Sequence, residues 1–469
     1  MSQQGAKEKV VLAYSGGLDT SVMVKWLQLE KDLDVIAICG NVGQDAEDLG
    51  WIERKAHDMG AVRSCALDMR EEYAETVLAQ AIASNALYEN RYPLLSALSR
   101  PLIARHLVEL AHETGAAYIA HGCTGKGNDQ VRFETSIRAL DPGIVVLAPA
   151  REWNLLTREQ EMEWAKTHGV PVPATVEKPY SIDDNLWGRA IECGDLEDPW
   201  AEPPADIWTM TRDPMLAPDE PEEITVGFEG GRPVSLNGQK MRLLELIVEL
   251  NRVCGRHGFG RLSMIEDRVV GIKSHECYEC PAALALIGMH QELETLCLDG
   301  STLRCKHQVD QQWATAVYEG KWYSQLKGSL DAFCAYTQRH VTGEVRARLY
   351  KGVLSVCGRR SPYSLYDPSL ATYGDDDSFD RSLASGFIGI HSLPSAIWSA
   401  RQGPASGMGG CARSPPKIRK GRPAHSWALG TRGRITWLFG RDASRKAWTS
   451  RHRTSGPPWA LTGACTGRT

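Results

Sequence analysis

The chain has 469 residues, 24% of them charged, with a formal net charge of −5 and a mean hydropathy of −0.31. That is length for two or three domains, and no apolar run approaches the roughly 20 residues of a membrane-spanning helix. The start, Met1 to Glu8, holds no apolar signal segment, and thirteen scattered cysteines point to a reduced, cytoplasmic protein.

Lys9 to Tyr14 is apolar and reads as a strand, and Val22 to Leu27 reads as helix. Between them lies Ser15-Gly16-Gly17-Leu18-Asp19-Thr20-Ser21. A glycine turn at a helix start leaves backbone N–H groups pointing outward, and the helix dipole adds positive potential, so a phosphate fits there. A Walker A loop would place a lysine after the second glycine; here Leu18-Asp19-Thr20 follow. An acid beside phosphates makes sense if it helps to hold Mg²⁺. The pattern resembles the PP-loop of ATP pyrophosphatases, which split ATP between its α- and β-phosphates.

Further along, Asp34–Cys39 reads as a second strand, Glu47–Met59 as helix, and Ala61-Val62 as the opening of a third strand. Leu102–Thr114 reads as helix, and Ala116–Ala120 and Gly143–Ala148 as strands. Near-continuous apolar strands alternating with helices predict a doubly wound parallel sheet, with ligands at the carboxyl ends of its strands. From about residue 176 prolines punctuate a loop-rich stretch. A hairpin is expected over Glu223–Phe228 and Arg232–Leu236, helices over Leu243–Cys254 and Leu330–Val341, and a short helix near Leu393–Arg401. The expected organisation is an α/β nucleotide-binding domain over 1–175, an α+β domain over 176–380, a helical segment over 381–404 and a disordered tail over 405–469. The tail carries thirteen Lys/Arg against the single acid Asp442, which leaves the preceding residues at about −17.

A second loop follows the strand at Ala120: His121-Gly122-Cys123-Thr124-Gly125-Lys126-Gly127-Asn128-Asp129-Gln130-Val131-Arg132. Three glycines in six residues make another backbone cradle. Asn128, Asp129 and Arg132 recur at helical spacing and suit an amino-acid zwitterion, the carboxylate for its ammonium and the guanidinium for its carboxylate.

With these loops, Arg91-Tyr92-Pro93-Leu94, Lys178–Arg189 and Arg360–Tyr366, the chain resembles the argininosuccinate synthase family, its bacterial members above all, over about residues 7–404. The resemblance implies an ATP-dependent ligase of arginine biosynthesis: ATP adenylates the ureido oxygen of citrulline, then the aspartate amine displaces AMP. It implies ATP contacts at Ala13, Tyr14, Ser15, Gly16, Gly17, Leu18, Asp19, Thr20, Ser21, Ala37 and Gly122. Aspartate would lie at Thr124, Asn128 and Asp129, and citrulline at Tyr92, Asn128, Arg132, Ser181, Glu266 and Tyr278. No protein nucleophile is needed, so positioning and charge neutralisation dominate; no catalytic residue is assigned, Asp19 and Asp129 being the candidates, with Asp129 expected to bind the aspartate amine. The family assembles as a homotetramer, and the tail is expected to stay outside it.

Some positions depart from the family pattern. Ala97 and Ala190 stand where serine is common, with Ser96 able to supply a hydroxyl; Cys39-Gly40-Asn41 lies near the expected adenine pocket, and His275 replaces a common arginine. A citrulline analogue is therefore an alternative substrate. His275, Cys277 and Cys280, with Cys305 and His307, have zinc-like spacing, but cysteine as a small apolar filler is the expected reading and no metal site is assigned. Trp427, Trp437, Trp448 and Trp459 interleave with arginines in the tail, so a nucleic-acid-binding tail on an inactive body is a second alternative. Other PP-loop enzymes, amidotransferases and thiolating enzymes, need an activated cysteine or a reactive pair; the Thr124–Arg132 loop argues against them.

Overall fold

A computed structural model describes residues 7–44, 49–153, 158–171 and 180–402. The basic tail, the helix start at Glu47, the 175/176 boundary and Lys178-Pro179 lie outside the described residues. The chain divides into one compact unit ending at Phe379 and a second beginning at Asp380.

Strands β1 (Lys9–Ala13), β2 (Asp34–Asn41), β3 (Arg63–Asp68), β4 (Tyr118–Ala120) and β5 (Val145–Leu147) form a parallel sheet in the order β3-β2-β1-β4-β5. β1 is buried on both faces. Val10 and Leu12 pack with Val22, Met23 and Leu27 of the Leu18–Glu30 helix, while Val11 packs with Leu107 and Ala111 of the Leu95–Thr114 helix. That two-sided burial is why β1 reads as an unbroken apolar run. Strand order reverses between β1 and β4, so the loops that follow these strands part and leave a cleft at their carboxyl ends.

Two details differ from the sequence expectation. β3 begins at Arg63, beyond Ala61-Val62, because it is an edge strand with polar residues that no apolar run marks. The third long helix starts at Leu95 and runs through Pro101, where Leu102 was expected to begin it. The lost N–H of Pro101 is outweighed by burial of Leu95, Ala97 and Leu98 in its first turns.

Beyond the nucleotide sheet the strands are β6 (Ser181–Asn185), β7 (Gly188–Glu192), β8 (Glu222–Glu229), β9 (Arg232–Leu236), β10 (Gln239–Lys240), β11 (Arg261–Asp267), β12 (Lys273–Glu279), β13 (Gly343–Tyr350) and β14 (Val353–Arg360). They build two antiparallel sheets, β11-β12-β7-β6 and β10-β9-β8-β13-β14. The expected β8–β9 hairpin and the Leu243–Arg256 helix are present, and the helix expected at Leu330 begins at Gln325. The largely buried helix Pro281–Cys297 and one face of the helix Gly300–Tyr318 complete the core.

The β6–β7 turn docks on the loop after β2. Leu186 N donates to Val42 O at 2.8 Å. Gly43, at φ +104°, leaves no room there: a Cβ would stand 2.6 Å from Leu186 N. This contact sets β6 and β7 over the end of the parallel sheet. Beyond Asp380, helices Ser382–His391 and Leu393–Gln402 expose Leu383, Phe387, Ile388, Ile390, Ile397 and Trp398. Among the described residues no helix is long and apolar enough to cross a membrane.

Gly43→Ala combines a left-handed backbone with a clash against main chain, and is expected to cost about 2–4 kcal/mol. Urea unfolding of the variant beside the parent checks this.

Candidate active site

The phosphate loop is held by its own hydroxyls. Gly16 takes φ +80°, and Gly17 caps the Leu18–Glu30 helix without a side-chain cap, so the first-turn N–H groups face outward. Ser15 Oγ accepts from Gly17 N at 3.3 Å and lies 3.1 Å from Thr20 Oγ1. Ser21 Oγ donates to Gly17 O at 2.7 Å and lies 3.1 Å from the Tyr14 hydroxyl. The lysine absent from the loop arrives from another element: Lys55 donates to Gly16 O while its ammonium lies 4.8 Å from the Trp51 ring centroid.

The loop lines a cleft of about 650 Å³ with Ile38, Cys39, Gly40, Gly122, Cys123 and Phe133. Apolar walls beside a backbone cradle suit a purine nucleotide. Ala13, Tyr14, Ser15, Gly17, Leu18, Asp19, Thr20 and Gly122 all line it. Gly16 and Ser21 belong to the loop but are not on that wall, and Ala37 is interior to β2, its neighbours Ile38 to Gly40 forming the wall instead. Burial pushes the Cys39 thiol up to about 11 and the Cys123 thiol up to about 12, so neither is a nucleophile near neutral pH.

A second cavity, about 460 Å³, shares Ser15, Asp19, Arg100, Gly122, Asp129 and Asp183 with the first. Its centre is a chain of charges. Arg100 reaches Asp129 Oδ2 and Asp183 Oδ2, each at 2.7 Å, and Arg132 reaches Asp129 Oδ1 at 2.8 Å. Burial by itself would raise the Asp129 carboxyl, but Arg100 and Arg132 hold it down at about 2. A carboxylate so held is a partner for a cation and a poor proton acceptor.

The far wall is aromatic and acidic. Tyr92 stacks on Tyr278 at 4.3 Å, and Tyr88 stacks on Tyr318 at 3.6 Å. Asn128 is locked by donating to the Tyr318 hydroxyl at 2.9 Å and accepting from Val269 N at 2.9 Å. Burial, then the neighbouring Glu276, pushes Glu266 up to about 7. Ser181, Ala190, Tyr92, Asn128, Arg132 and Glu266 line this cavity; Tyr278 backs Tyr92, and Thr124 is exposed and on neither wall. Ala97 is buried, and the hydroxyl at this place comes from Ser96, which donates to Asp183.

His275 is taken up by Leu196 O at 2.7 Å and Ser263 Oγ at 2.8 Å. Cys277 and Cys280 are buried and Cys305 is exposed. No group of three His, Cys, Asp or Glu placed to hold a metal occurs among the described residues.

Sequence reasoning missed Arg100, Asp183, Glu192, Arg268, Glu276 and Tyr318. Glu276 had a signal: it stands two residues before Tyr278, on the same face of β12. Arg100 and Tyr318 lie on helices far from either loop, and nothing local marks them.

A lysine-free glycine loop at the switch point of a parallel sheet, joined to a polar cavity for amino-acid groups, defines an ATP-using ligase of the PP-loop class. Residues 9–171 match the Arginosuccinate synthase N-terminal HUP domain, and residues 180–398 match the Arginosuccinate synthase C-terminal domain. The chain is 52% identical over 398 residues to the argininosuccinate synthase of Oceanobacillus iheyensis, covering 85% of this chain and 95% of the relative. It is 52% identical over 392 residues to that of Geobacillus thermodenitrificans, covering 84% and 96%. A solved NMN synthetase from Francisella tularensis covers 35% of this chain and 63% of its own at 15% identity and a TM-score of 0.24, too slight a likeness to bear on function. The chain belongs to the argininosuccinate synthase family, whose members are ATP-dependent ligases.

Arg100→Met leaves Asp129 with one guanidinium and takes that of Arg100 from Asp183. Because these groups are partly exposed, the expected destabilisation is about 1–3 kcal/mol at pH 7. The Asp129 carboxyl is depressed in the fold, so its share is present above about pH 4 and fades as pH falls toward 2. Unfolding of variant and parent at pH 7 and pH 3 is expected to show a smaller gap at the lower pH.

Proposed function

We propose that this site joins citrulline to aspartate at the expense of ATP, giving argininosuccinate, AMP and pyrophosphate in arginine biosynthesis. The observation that carries the reading is the wall common to the nucleotide cleft and the amino-acid cavity, from Ser15 and Asp19 to Gly122 and Asp129. It lets a ureido oxygen in one cavity meet the α-phosphorus in the other. A bond forms from that oxygen to the α-phosphorus, the bond to the bridging oxygen breaks, and pyrophosphate leaves. The aspartate ammonium then sheds one proton to become the amine that attacks the ureido carbon; AMP leaves as its bond to that carbon breaks, and a second proton is lost from the nitrogen as the guanidinium forms.

ATP is held by the loop Ala13 to Ser21 and by Gly122, with outward N–H groups against its phosphates, and Ala37 serves it from inside β2 by carrying the Ile38 to Gly40 wall. Asn128 and Asp129 take aspartate from the cavity wall, the depressed carboxyl of Asp129 suiting its ammonium, and Thr124 would reach it only from the exposed loop outside that wall. Tyr92, Asn128, Arg132, Ser181, Glu266 and Tyr278 take citrulline. Asp19 lines both cavities and makes no ion pair among the described residues. With Thr20 and phosphate oxygens it offers the hard oxygen set that Mg²⁺ uses, and the ion when bound would offset the charge of the departing pyrophosphate. The nucleotide part is assigned to 1–175 and the synthetase part to 176–380, in a cytoplasmic protein. The apolar side chains exposed beyond Asp380 support assembly with further copies, read as a homotetramer.

Pyrophosphate release is measured with ATP and Mg²⁺, adding citrulline and aspartate singly and together. Release that requires citrulline, with argininosuccinate formed when aspartate is added, is expected. The alternative is a citrulline analogue as the substrate; Ala190 brings no hydroxyl to the cavity wall. Release with another ureido compound and none with citrulline would establish that instead. Light scattering of the full chain is expected to give a mass near four copies; a monomer overturns the assembly reading.

A further inference from the structure

Two carboxyl groups compete for one hydroxyl at the end of the amino-acid cavity. Tyr278 Oη lies 2.7 Å from Glu266 Oε2 and 2.8 Å from Glu276 Oε2. A phenol carries one proton and donates to one acceptor. With both carboxylates ionised, the second contact would press two unprotonated oxygens together where Tyr278 is wholly buried and Glu266 is 2% exposed. One more proton, on a carboxyl oxygen, satisfies the geometry.

The partners say which oxygen holds it. Glu276 Oε1 accepts from Arg268 at 3.0 Å and from Ser274 Oγ at 3.0 Å, and Arg268 also pairs with Glu192 of β7. Glu266 has no ion pair among the described residues; its Oε1 accepts the Tyr318 hydroxyl at 2.7 Å. Arg132 of the Asp129–Leu140 helix acts on Glu266 only through its field, and Tyr88, Tyr92 and Asn128 also lie around it. Glu266 therefore donates to Tyr278, and Tyr278 donates onward to Glu276. Charge points the same way. Asp129 and Asp183 are matched by Arg100 and Arg132, whereas Glu192 and Glu276 share the guanidinium of Arg268 and Glu266 has no cation of its own among the described residues. The excess acid at this end calls for a cation.

We propose that the citrulline subsite is proton-linked: its α-ammonium displaces the proton that Glu266 shares with Glu276 across Tyr278, and Glu276 is the positioning residue for that pair. The Glu266 Oε2–H bond breaks, the proton passes to bulk water, and an ammonium N–H takes its place against the carboxylate. The carboxylate left on Glu266 is neutralised by that ammonium, and the one proton released is the net change on binding the zwitterion. This inference rests on the citrulline reading above.

The test is calorimetry of citrulline binding to the full chain, with α,β-methylene ATP present, in buffers of different ionisation enthalpy. About one proton released per citrulline at pH 6 and close to none at pH 8 is expected, since Glu266 is neutral below its transition. In turnover, KM for citrulline is expected to rise about tenfold per pH unit on the acid side while kcat at saturation holds. Glu276→Gln removes the like charge, so Glu266 ionises more readily and the release at pH 6 is expected to fall well below one. Binding at pH 6 without proton release, or release unchanged in Glu276→Gln, overturns the proton link and leaves the citrulline reading standing. No binding at either pH overturns the citrulline reading and this inference with it. The parent's buffer series decides alone if the variant does not fold.

Discussion

Asp129 between two guanidinium groups is the interaction on which the site depends. Through Arg100 it ties the Leu95–Thr114 helix to β6 at Asp183, and through Arg132 it ties its own helix to Tyr318 O at 3.0 Å. Four segments are thus linked through two guanidinium groups to one carboxylate, on the wall between two cavities. The pairing serves position more than strength, because burying charge costs nearly what pairing returns. It also keeps Asp129 ionised, which a buried carboxyl would otherwise resist.

The opposite wall uses the opposite logic. There an acid is left without its own cation, so burial and a like charge keep a proton on it. One cavity therefore holds a carboxylate pinned near 2 and a carboxyl raised to about 7. The first is a standing receptor for positive charge; the second becomes one only when a ligand brings the charge. An amino acid entering such a cavity meets two acids that respond differently to pH, which orients it without any covalent bond to the protein.

The phosphate loop was legible in the residues because its chemistry is local. Gly16 and Gly17 follow β1 directly, and the helix that supplies the N–H groups begins at the next residue. The second loop was legible for the same reason, with Asn128, Asp129 and Arg132 within one turn of a helix. The partners of these residues were not. Arg100 and Tyr318 come from helices that lie elsewhere in the chain, and Lys55 supplies from a neighbouring helix a cation that the loop lacks. The sheet β11-β12-β7-β6 was also hidden, since its central pairing, β12 with β7, joins residues nearly ninety positions apart, Tyr278 with Ala190 among them.

From the amino acids by themselves came the parallel sheet and the two loops, because strand periodicity and glycine turns are properties of neighbouring residues, and the family came from the resemblance of five short motifs. What only the tertiary structure decided is the state of the acids. Whether Asp129 is paired, Glu266 protonated or Cys123 inert depends on which distant side chains burial brings within a few ångströms, and proximity of that kind is not written in sequence spacing.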